Sequence, residues 1–352
     1  MIQRSPAYIE AQLASDDNRS WQQLLSSSIT SPKELLERLN LPADKWLPGA
    51  EAGHRLFQTR VPEPFLARME KGNPADPLLR QVLPLSLETG AAEGFVADPL
   101  QEDGAIQTTG LIRKYRSRAL LMVTGQCAIN CRYCFRRHFP YNEQRLGPAD
   151  RQKVLDTLAA SPEINEVIFS GGDPLAVSDQ RLSQWAAAIS SIPHIRRIRL
   201  HTRLPVVIPQ RVCDALLTWI SNTQVQVVMV LHINHPAEID LSTRHALNQL
   251  RSVGVTLLNQ SVILKDVNDD ADVLENLSEA LFDAGVLPYY LHAFDPVAGA
   301  QHFDVPDEKA RVLVRELLSR LPGFLVPKLV REVPGKPAKT PINLFSTGLQ
   351  DA

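Results

Sequence analysis

Three of the four cysteines in this chain of 352 residues stand close together, at Cys127, Cys131 and Cys134. So few cysteines do not make a disulfide framework, and clustered thiols more often bind metal or do redox work. A structural zinc ion needs four ligands, so zinc would require a fourth from His138 or Cys213. A four-iron cluster held by three cysteines instead leaves one iron free to bind another molecule. We favour this second interpretation of the spacing.

A second candidate is the segment SGGDP at residues 170–174, which follows a short apolar run. Gly171 and Gly172 allow the backbone to approach a ligand closely, and the Asp173 carboxylate can accept hydrogen bonds from an ammonium group. The same sequence is also compatible with a strand-ending turn capped by an aspartate. Further polar segments follow apolar runs at HTR (201–203), HINH (232–235), NQS (259–261) and HAFD (292–295).

Six short apolar runs must position these polar segments. We expect strands at residues 119–124, 166–171, 197–201, 225–233, 255–260 and 287–294. Strands that alternate with amphipathic stretches at a period of roughly thirty residues are typical of βαβ units and a parallel sheet. Because no dinucleotide-binding glycine fingerprint is present, we predict an α/β fold with a partial (β/α)6 barrel of the TIM type. Chemistry in such barrels takes place where the strands end, which is where the cysteines and the polar segments stand.

Changes in residue pattern and composition along the chain predict three regions. Residues 1–106 carry short helical patterns interrupted by proline, residues 107–325 carry the barrel pattern, and residues 326–352 form a tail rich in proline and lysine. A net charge of −2 gives no reason to expect nucleic acid or a membrane as partner. No apolar run approaches membrane-spanning length and the first residues contain no export signal, so we expect a cytoplasmic protein.

The cysteine spacing after the first predicted strand, with SGGDP after the second, resembles the radical S-adenosylmethionine (SAM) enzymes. The resemblance implies a [4Fe-4S] cluster bound by Cys127, Cys131 and Cys134, with SAM on the open iron. One electron from the cluster would then release a 5′-deoxyadenosyl radical, at a potential set by the surroundings of the cluster. The glycine-rich segment would contact the methionine end of SAM.

Nearly the whole chain resembles the lysine 2,3-aminomutase family of radical SAM enzymes. The landmarks, in order, are CRYCFRRHFP, FSGGDPL, TRLPVVIPQRV, NQSVILKDVND and PYYLHAFD. The family uses pyridoxal phosphate (PLP), and its PLP lysine matches Lys339 in the segment EVPGKPAKTPI, with Lys336 as the alternative. Tyr115 and Arg118 match positions near PLP, where Tyr115 could stack on the ring. The strand-end candidates for contacts with SAM or PLP are His201, Arg203, His232 and Gln260.

The resemblance also implies the substrate and the reaction. Arg136 matches the arginine that binds the α-carboxylate of the substrate, a task suited to a forked guanidinium. Asp295 and Glu332 match the two acids around the ε-ammonium of L-lysine, and two acids argue against a glutamate substrate. Glu332 stands where lysine-fermenting relatives carry aspartate, so we expect an altered pocket. The implied isomerisation is a 1,2-amino shift from (S)-α-lysine to (R)-β-lysine, with Lys339 as the catalytic residue.

Within the family, the sequence resembles the aminomutase of the elongation factor P lysylation pathway. That branch implies that a separate ligase attaches β-lysine to elongation factor P. The cluster chemistry implies a reduced flavodoxin- or ferredoxin-type electron donor. Two other functions remain compatible with the residues: a radical SAM aminomutase that acts on another amino acid, and an iron–sulfur or zinc module without catalysis.

Overall fold

The computed structural model describes residues 19–345, in which ten strands form one sheet in chain order. The strands are β1 (Ile106–Thr108), β2 (Leu111–Tyr115), β3 (Arg118–Thr124), β4 (Glu166–Gly171), β5 (Arg197–Thr202), β6 (Gln226–Leu231), β7 (Thr256–Val262), β8 (Leu287–His292), β9 (Lys328–Arg331) and β10 (Thr340–Pro341). Strands β3 to β9 are parallel to one another, whereas the pairs β1–β2, β2–β3 and β9–β10 are antiparallel. Since β1 and β10 end the sheet at opposite edges, the barrel wall is open within the described residues.

Twelve α-helices cover or connect these strands in the part of the chain that the structure describes. They are α1 (Trp21–Ser26), α2 (Pro32–Arg38), α3 (Ala43–Leu56), α4 (Glu63–Leu66), α5 (Pro77–Arg80), α6 (Pro148–Ala159), α7 (Asp179–Ser190), α8 (Leu204–Val207), α9 (Asp214–Ser221), α10 (Leu241–Ser252), α11 (Ala271–Asp283) and α12 (Asp307–Arg320).

The six predicted strands are confirmed as β3 to β8, and each begins within one residue of its predicted start. The helical stretches predicted between them correspond to α6, α7, α9 and α10. The architecture is therefore the predicted α/β partial barrel. Strands β1, β2, β9 and β10 were not predicted, because short runs with exposed or half-exposed positions, such as KLVR (328–331), lack a distinctive pattern.

Alternate residues of the parallel strands face two different environments. Leu121, Phe169 and Leu200 are fully buried in the main hydrophobic core together with residues of the covering helices. The residues between them face the barrel interior, and near the carboxyl ends of the strands these are polar or aromatic: Ser170, Arg199, His201, His232, Tyr290 and His292. The interior is therefore polar at the end where the cysteine loop stands.

The N-terminal helices pack on the barrel. Helix α2 has Pro32 at its first position, and the Ser31 hydroxyl accepts a hydrogen bond from the Glu34 N–H. These helices and the strands share one hydrophobic cluster, and the predicted boundaries after residues 106 and 325 stay a prediction. Among residues 19–345, no helix has the length and apolar character needed to span a membrane. The cytoplasmic location also stays a prediction.

Candidate active site

The cysteine loop follows β3 and forms hydrogen bonds and an ion pair with the N-terminal helical region. The Asn130 N–H donates to the Arg60 carbonyl at 3.2 Å, and the Arg132 N–H donates to the Gln81 carbonyl at 3.0 Å. The Arg132 side chain adds an ion pair with Glu88 at 2.7 Å, in which both side chains are buried. The loop therefore has a defined position set by the protein itself.

The thiols of Cys127, Cys131 and Cys134 lie close enough to affect one another's ionisation. Burial raises the pKa of the Cys134 thiol to about 11, and the neighbouring Cys131 adds to the shift. The pKa of Cys127 is raised well above its usual value by burial, then by Cys134 and Asp173. Thiols that resist ionisation in this way become thiolates when a bound metal compensates their charge. The loop is thus suited to a metal group.

The donor set of the loop consists of three thiols. Among residues 19–345, no three Cys, His, Asp or Glu side chains converge tightly enough to hold one metal ion. In a [4Fe-4S] cluster each thiolate binds a different iron, so the ligands stand farther apart than those of one ion. The sulfur of Cys213 contacts Asp179 at 3.7 Å and Arg211 at 3.8 Å, both outside the cysteine loop. Three thiols in the loop match a cluster with one open iron.

The end of β4 and the turn after it lie directly against the end of β3 and the start of the cysteine loop. Gly171 has a φ of +122°, and a Cβ atom there would stand 2.0 Å from the Thr124 carbonyl oxygen. A Cβ atom at Gly172 would stand 2.4 Å from the Gln126 carbonyl oxygen. Only glycine allows such close approach of two backbone segments. The two glycines therefore fix the distance between the turn and the loop.

Asp173 is buried beneath this turn, and its carboxylate is engaged by the protein. Its Oδ1 accepts hydrogen bonds from the Thr202 hydroxyl at 2.7 Å and the Leu175 N–H at 3.0 Å. Its Oδ2 accepts from the Arg203 N–H at 2.8 Å. Burial nevertheless raises the pKa of this carboxyl. Asp173 thus ties the end of β5 to the glycine turn, and its predicted contact with the ammonium of SAM stays a prediction.

Arg136 belongs to the cysteine loop, and its side chain lies against the end of β4. It already binds a carboxylate of the protein. Its Nε and Nη2 donate to the two oxygens of Glu102 at 2.6 and 2.9 Å, and its Nη1 donates to the Ser170 hydroxyl at 3.0 Å. Burial opposes ionisation of Glu102, but Arg136 and Lys114 lower the pKa of its carboxyl. A second carboxylate must approach the outer edge of Arg136, between Nη1 and Nη2, or displace Glu102.

A chain of alternating charges connects Arg136 with Lys339. Lys114 Nζ lies 3.2 Å from Glu102 Oε1 and 2.6 Å from Glu332 Oε1, and Lys339 Nζ lies 2.7 Å from Glu332 Oε2. Burial opposes ionisation of Glu332, but Lys339 and Lys114 hold the pKa of its carboxyl well below its usual range. The structure therefore brings two residues predicted to bind substrate and the predicted PLP lysine into one site.

Asp295 belongs to the same site, since the charges of Glu332 and Lys339 act on its ionisation. Burial, and then the negative charge of Glu332, raise the pKa of the Asp295 carboxyl to about 7. Asp295 follows the end of β8, as predicted for a strand-end residue. Two acids thus stand near Lys339: Glu332 is kept ionised by its lysine partners, and Asp295 ionises readily once a further cation arrives.

Aromatic side chains lie around the same lysine. The Lys339 Nζ lies 5.8 Å from the centre of the Tyr290 ring, and the Arg118 guanidinium lies 4.0 Å from the centre of the Tyr115 ring. Burial raises the pKa of Tyr115, and the charge of Glu332 and a hydrogen bond to it add to the shift. Tyr115 and Arg118, which were predicted to lie near PLP, therefore stand beside the pair of Lys339 and Glu332.

Two histidines direct nitrogen atoms into the barrel interior. The Nε2 atoms of His201 and His292 are buried and have no hydrogen-bond partner among residues 19–345. Burial lowers the pKa of both imidazoles well below the usual value, and the nearby Lys339 adds to the effect in each case. Both side chains are neutral at physiological pH. A polar ligand in the interior would find two imidazole nitrogens ready for hydrogen bonding.

The other predicted ligand contacts divide between two places. His232 Nε2 lies 3.0 Å from a tyrosine hydroxyl of the cysteine loop, and Arg203 Nη1 lies 2.9 Å from the Cys131 sulfur. Both therefore stand beside the predicted cluster. Gln260 pairs with Tyr290 across β7 and β8, on the side of the barrel that carries Lys339. The contacts of these residues with SAM or PLP stay predictions.

Three residues of the site were missed in the sequence, Glu102, Lys114 and Tyr290, and His292 was noted only as part of the segment HAFD. Tyr290 and His292 occupy inward positions of β8, so the alternation in PYYLHAFD is a signal that could have found them. Lys114 stands next to Tyr115, but one basic residue in a short strand is not distinctive. Glu102 lies in a loop and meets Arg136 from 34 positions away, and such a pairing leaves no local pattern.

The residues present fit the groups that the fold implies. Three thiols and a glycine turn at the carboxyl ends of parallel strands suit a cluster with SAM on its open iron. A lysine amine beside a tyrosine ring, an arginine and unpaired imidazole nitrogens suits an aromatic, anionic cofactor.

The open barrel, the three-cysteine loop and the glycine turn define a radical SAM protein. Residues 121–223 match the family model of the Radical SAM superfamily, whose members bind SAM and a [4Fe-4S] cluster. Among solved structures, a radical SAM methyltransferase from Sphaerobacter thermophilus aligns with 63% of this chain and 68% of its own, at 16% identity and a TM-score of 0.42. That similarity is too low to bear on the site.

The chain belongs to the L-lysine 2,3-aminomutase family. The L-lysine 2,3-aminomutase of Escherichia coli (strain K12) is 52% identical over 332 residues, which cover 94% of this chain and 97% of that protein. The Haemophilus influenzae protein of the same name is 51% identical over 324 residues, or 92% and 96% of the two chains. That of Clostridium subterminale is 33% identical over 93% of this chain and 78% of its own. The predicted family and its class, an isomerase, are thereby confirmed.

Proposed function

We propose that this protein is an L-lysine 2,3-aminomutase that converts (S)-α-lysine to (R)-β-lysine with a [4Fe-4S] cluster, SAM and PLP. The names of its relatives support the substrate and the reaction. The observation that carries the proposal is the pairing of charges in the barrel. A buried arginine stands at one end of a continuous chain of ion pairs, and a lysine flanked by two acids stands at the other.

The arginine end suits the α-carboxylate of the substrate. Glu102 grips the Nε side of Arg136 through two hydrogen bonds, which fixes the plane of the guanidinium. Nη1 donates to the Ser170 hydroxyl at 3.0 Å and to the Gly171 carbonyl at 3.4 Å, so a second carboxylate takes two parallel hydrogen bonds from Nη1 and Nη2 only by displacing one of these acceptors. Lys114 also forms an ion pair with Glu102, so its positive charge helps to balance the two carboxylates when that of the substrate arrives.

The acidic end suits the ε-ammonium of the substrate. Glu332 is ionised and already holds two ammonium groups, those of Lys114 and Lys339. Asp295 has a raised pKa, so a substrate ammonium beside it favours release of its proton and creates a new ion pair. A substrate with a carboxylate at its far end would instead meet two acids. This pattern favours lysine over glutamate or alanine.

The remaining residues hold the cofactors and enclose the reaction. Cys127, Cys131 and Cys134 would bind the cluster, and Lys339, Tyr115 and Arg118 would bind PLP. The chemistry that the bound groups supply is formation of a substrate radical and its stabilisation while the amino group moves. The protein itself binds both ends of the substrate, and this holds the β-carbon in one place. It also keeps water out of the interior.

Anaerobic turnover tests the proposed reaction. We expect the protein reconstituted with iron and sulfide, and supplied with SAM, PLP, reductant and lysine, to form (R)-β-lysine, detected by chiral chromatography. The Cys131→Ala variant serves as the control, because it lacks one proposed cluster ligand and should form none. Turnover of glutamate or alanine with lysine untouched would show that the acidic end has been misassigned. A cluster-loaded, PLP-loaded protein with no turnover of any of the three would reject the aminomutase proposal.

The raised pKa of Asp295 predicts how stability depends on pH. A carboxyl with a folded pKa of about 7 keeps its proton in the native state after the unfolded chain has lost it. The contribution of protonated Asp295 to the free energy of unfolding is therefore fully present below the pKa of the unfolded chain, and it is lost as pH rises towards 7. Asp295→Asn keeps a neutral side chain at every pH. We expect the variant to gain about 3 kcal/mol relative to the parent between pH 5 and pH 8.

Urea unfolding of both substrate-free proteins at about pH 5 and pH 8 measures this gain. Other titrating groups are common to the two proteins, so they cancel in the difference. A difference in the free energy of unfolding that is the same at both pH values would contradict the predicted ionisation of Asp295. Lysine added at pH 8 should stabilise the parent more than the variant, since only the parent can form the new ion pair.

We also propose that the β-lysine serves the modification of elongation factor P, with a separate ligase as the next enzyme and a reduced flavodoxin or ferredoxin as electron donor. The support is the resemblance of the family landmarks to that branch. Deletion of the gene should remove the β-lysyl mass increment from elongation factor P, and added (R)-β-lysine should restore it. Restoration by α-lysine alone would reject this placement.

A further inference from the structure

The guanidinium of Arg203 is buried against the cysteine loop. Its Nη1 donates to the Cys131 sulfur at 2.9 Å and to the Tyr133 hydroxyl at 2.9 Å. Its Nη2 donates to Gln81 Oε1 at 2.7 Å and to Glu238 Oε2 at 2.9 Å. Only 5% of Arg203 is exposed. A full positive charge and a hydrogen-bond donor therefore lie directly on one proposed cluster ligand.

Glu238 balances this charge from the other side of the guanidinium. It is completely buried and also accepts hydrogen bonds from the Asn234 N–H at 3.0 Å and from Gln81 Nε2 at 3.2 Å. Burial opposes its ionisation, but Arg203 and these donors lower the pKa of its carboxyl. A buried ion pair adds little net stability compared with apolar packing. Its place beside a cluster ligand therefore indicates an electrostatic role.

The charge of the cluster determines whether a neighbouring group raises or lowers its reduction potential. Reduction adds one electron, taken from the reduced donor, and makes the cluster one unit more negative. A cation or a hydrogen-bond donor at a ligand sulfur stabilises the more negative state and raises the reduction potential. A carboxylate a few ångströms farther away acts in the opposite sense, and a buried site screens neither charge strongly.

We propose that Arg203 and Glu238 form a pair that sets the reduction potential of the cluster, with Arg203 raising it and Glu238 limiting the rise. The inference rests on the proposed cluster ligands and adds to them two positioning residues that need no contact with SAM or substrate. The same Arg203 holds Asp173 through its backbone N–H, so one residue joins the cluster ligand to the glycine turn.

Potentiometric titration followed by electron paramagnetic resonance tests the pair in cluster-loaded protein. We expect Arg203→Gln to make the cluster harder to reduce, by about tenfold in the reduction equilibrium, which is about 59 mV for one electron. Glu238→Gln should shift the potential in the opposite direction. The double variant, which removes both charges and leaves no buried ion unpaired, should lie between the two single variants. A purely structural role predicts no such reversal of sign.

Arg211 provides a matched control. It is completely buried, pairs with Asp179 at 2.8 Å and lies 3.8 Å from the sulfur of Cys213, which is not a proposed cluster ligand. Arg211→Gln should destabilise the fold to a similar extent and leave the potential unchanged. If Arg203→Gln does not retain iron, Arg203→Lys and the double variant decide the matter. Arg203→Lys keeps the charge and should hold the potential near that of the parent.

Two failures of this experiment have different meanings. A parent protein that takes up no [4Fe-4S] cluster refutes the proposed cofactor and the proposed function with it. Loaded variants with an unchanged potential, or shifts of the same sign for Arg203→Gln and Glu238→Gln, overturn only the tuning role of the pair. In that case, the hydrogen bond to Cys131 serves to position the loop alone.

Discussion

The Lys339→Ala variant is expected to lose the absorbance band at about 420 nm that PLP gives when bound to a lysine. Activity on lysine should fall by more than ~10³-fold, because the amine that positions the cofactor is gone. The structure gives the reason for choosing this lysine. Its Nζ lies 2.7 Å from Glu332 and 5.8 Å from the centre of the Tyr290 ring, inside the barrel.

Lys336→Ala is the matched control for this experiment. Lys336 stands only three positions earlier but is exposed, in the turn between β9 and β10. The control variant should keep both the band and the activity. Lys339→Ala should also remain folded, since Glu332 retains Lys114 as an ion-pair partner at 2.6 Å. Retention of the band in Lys339→Ala, or its loss in Lys336→Ala, would move the PLP site to the other lysine. Borohydride reduction and peptide mass analysis identify the modified lysine directly.

Features with a local signature could be predicted from the sequence. The three cysteines stand within one loop, so their spacing is itself the pattern, and the glycine turn is equally compact. Strands β3 to β8 are apolar runs of ordinary length separated by amphipathic stretches, and this alternation identifies a parallel sheet. The polar strand ends followed from that sheet. Asp295 closes one such end, and the resemblance to the family singled it out there.

Features that arise only from three-dimensional contact could not be predicted. The side chain of Arg203 lies on Cys131 and is held by Gln81 and Glu238, and no local pattern in the sequence indicates these contacts. Those partners come from an N-terminal helical segment and from the loop after β6. The same holds for Glu102, which meets Arg136 from a loop outside the barrel. Charge pairing over such separations in the chain is decided by packing, which leaves no periodic trace.

Gly171→Ala is expected to have the second large effect, because Gly171 lies where the end of β4 meets the end of β3, directly before the cysteine loop. The added Cβ would stand 2.0 Å from the Thr124 carbonyl oxygen, at a backbone φ of +122° that L-residues avoid. Both segments are backbone, so neither can yield by rotating a side chain. We expect a loss of about 2–4 kcal/mol in the free energy of unfolding.

The same displacement should abolish SAM binding, because it separates the turn from the loop that carries the proposed cluster. Equilibrium dialysis of the reconstituted protein with labelled SAM measures this loss, and thermal or urea unfolding measures the stability. Gly104→Ala is the matched control, since no atom lies within 4 Å of its added Cβ and its φ is not positive. It should change stability by less than about 0.5 kcal/mol and keep SAM binding. A Gly171→Ala variant as stable as this control would show that the turn can move away from the loop at little cost. If that variant also bound SAM normally, the close packing of the two segments would not be what builds the SAM site.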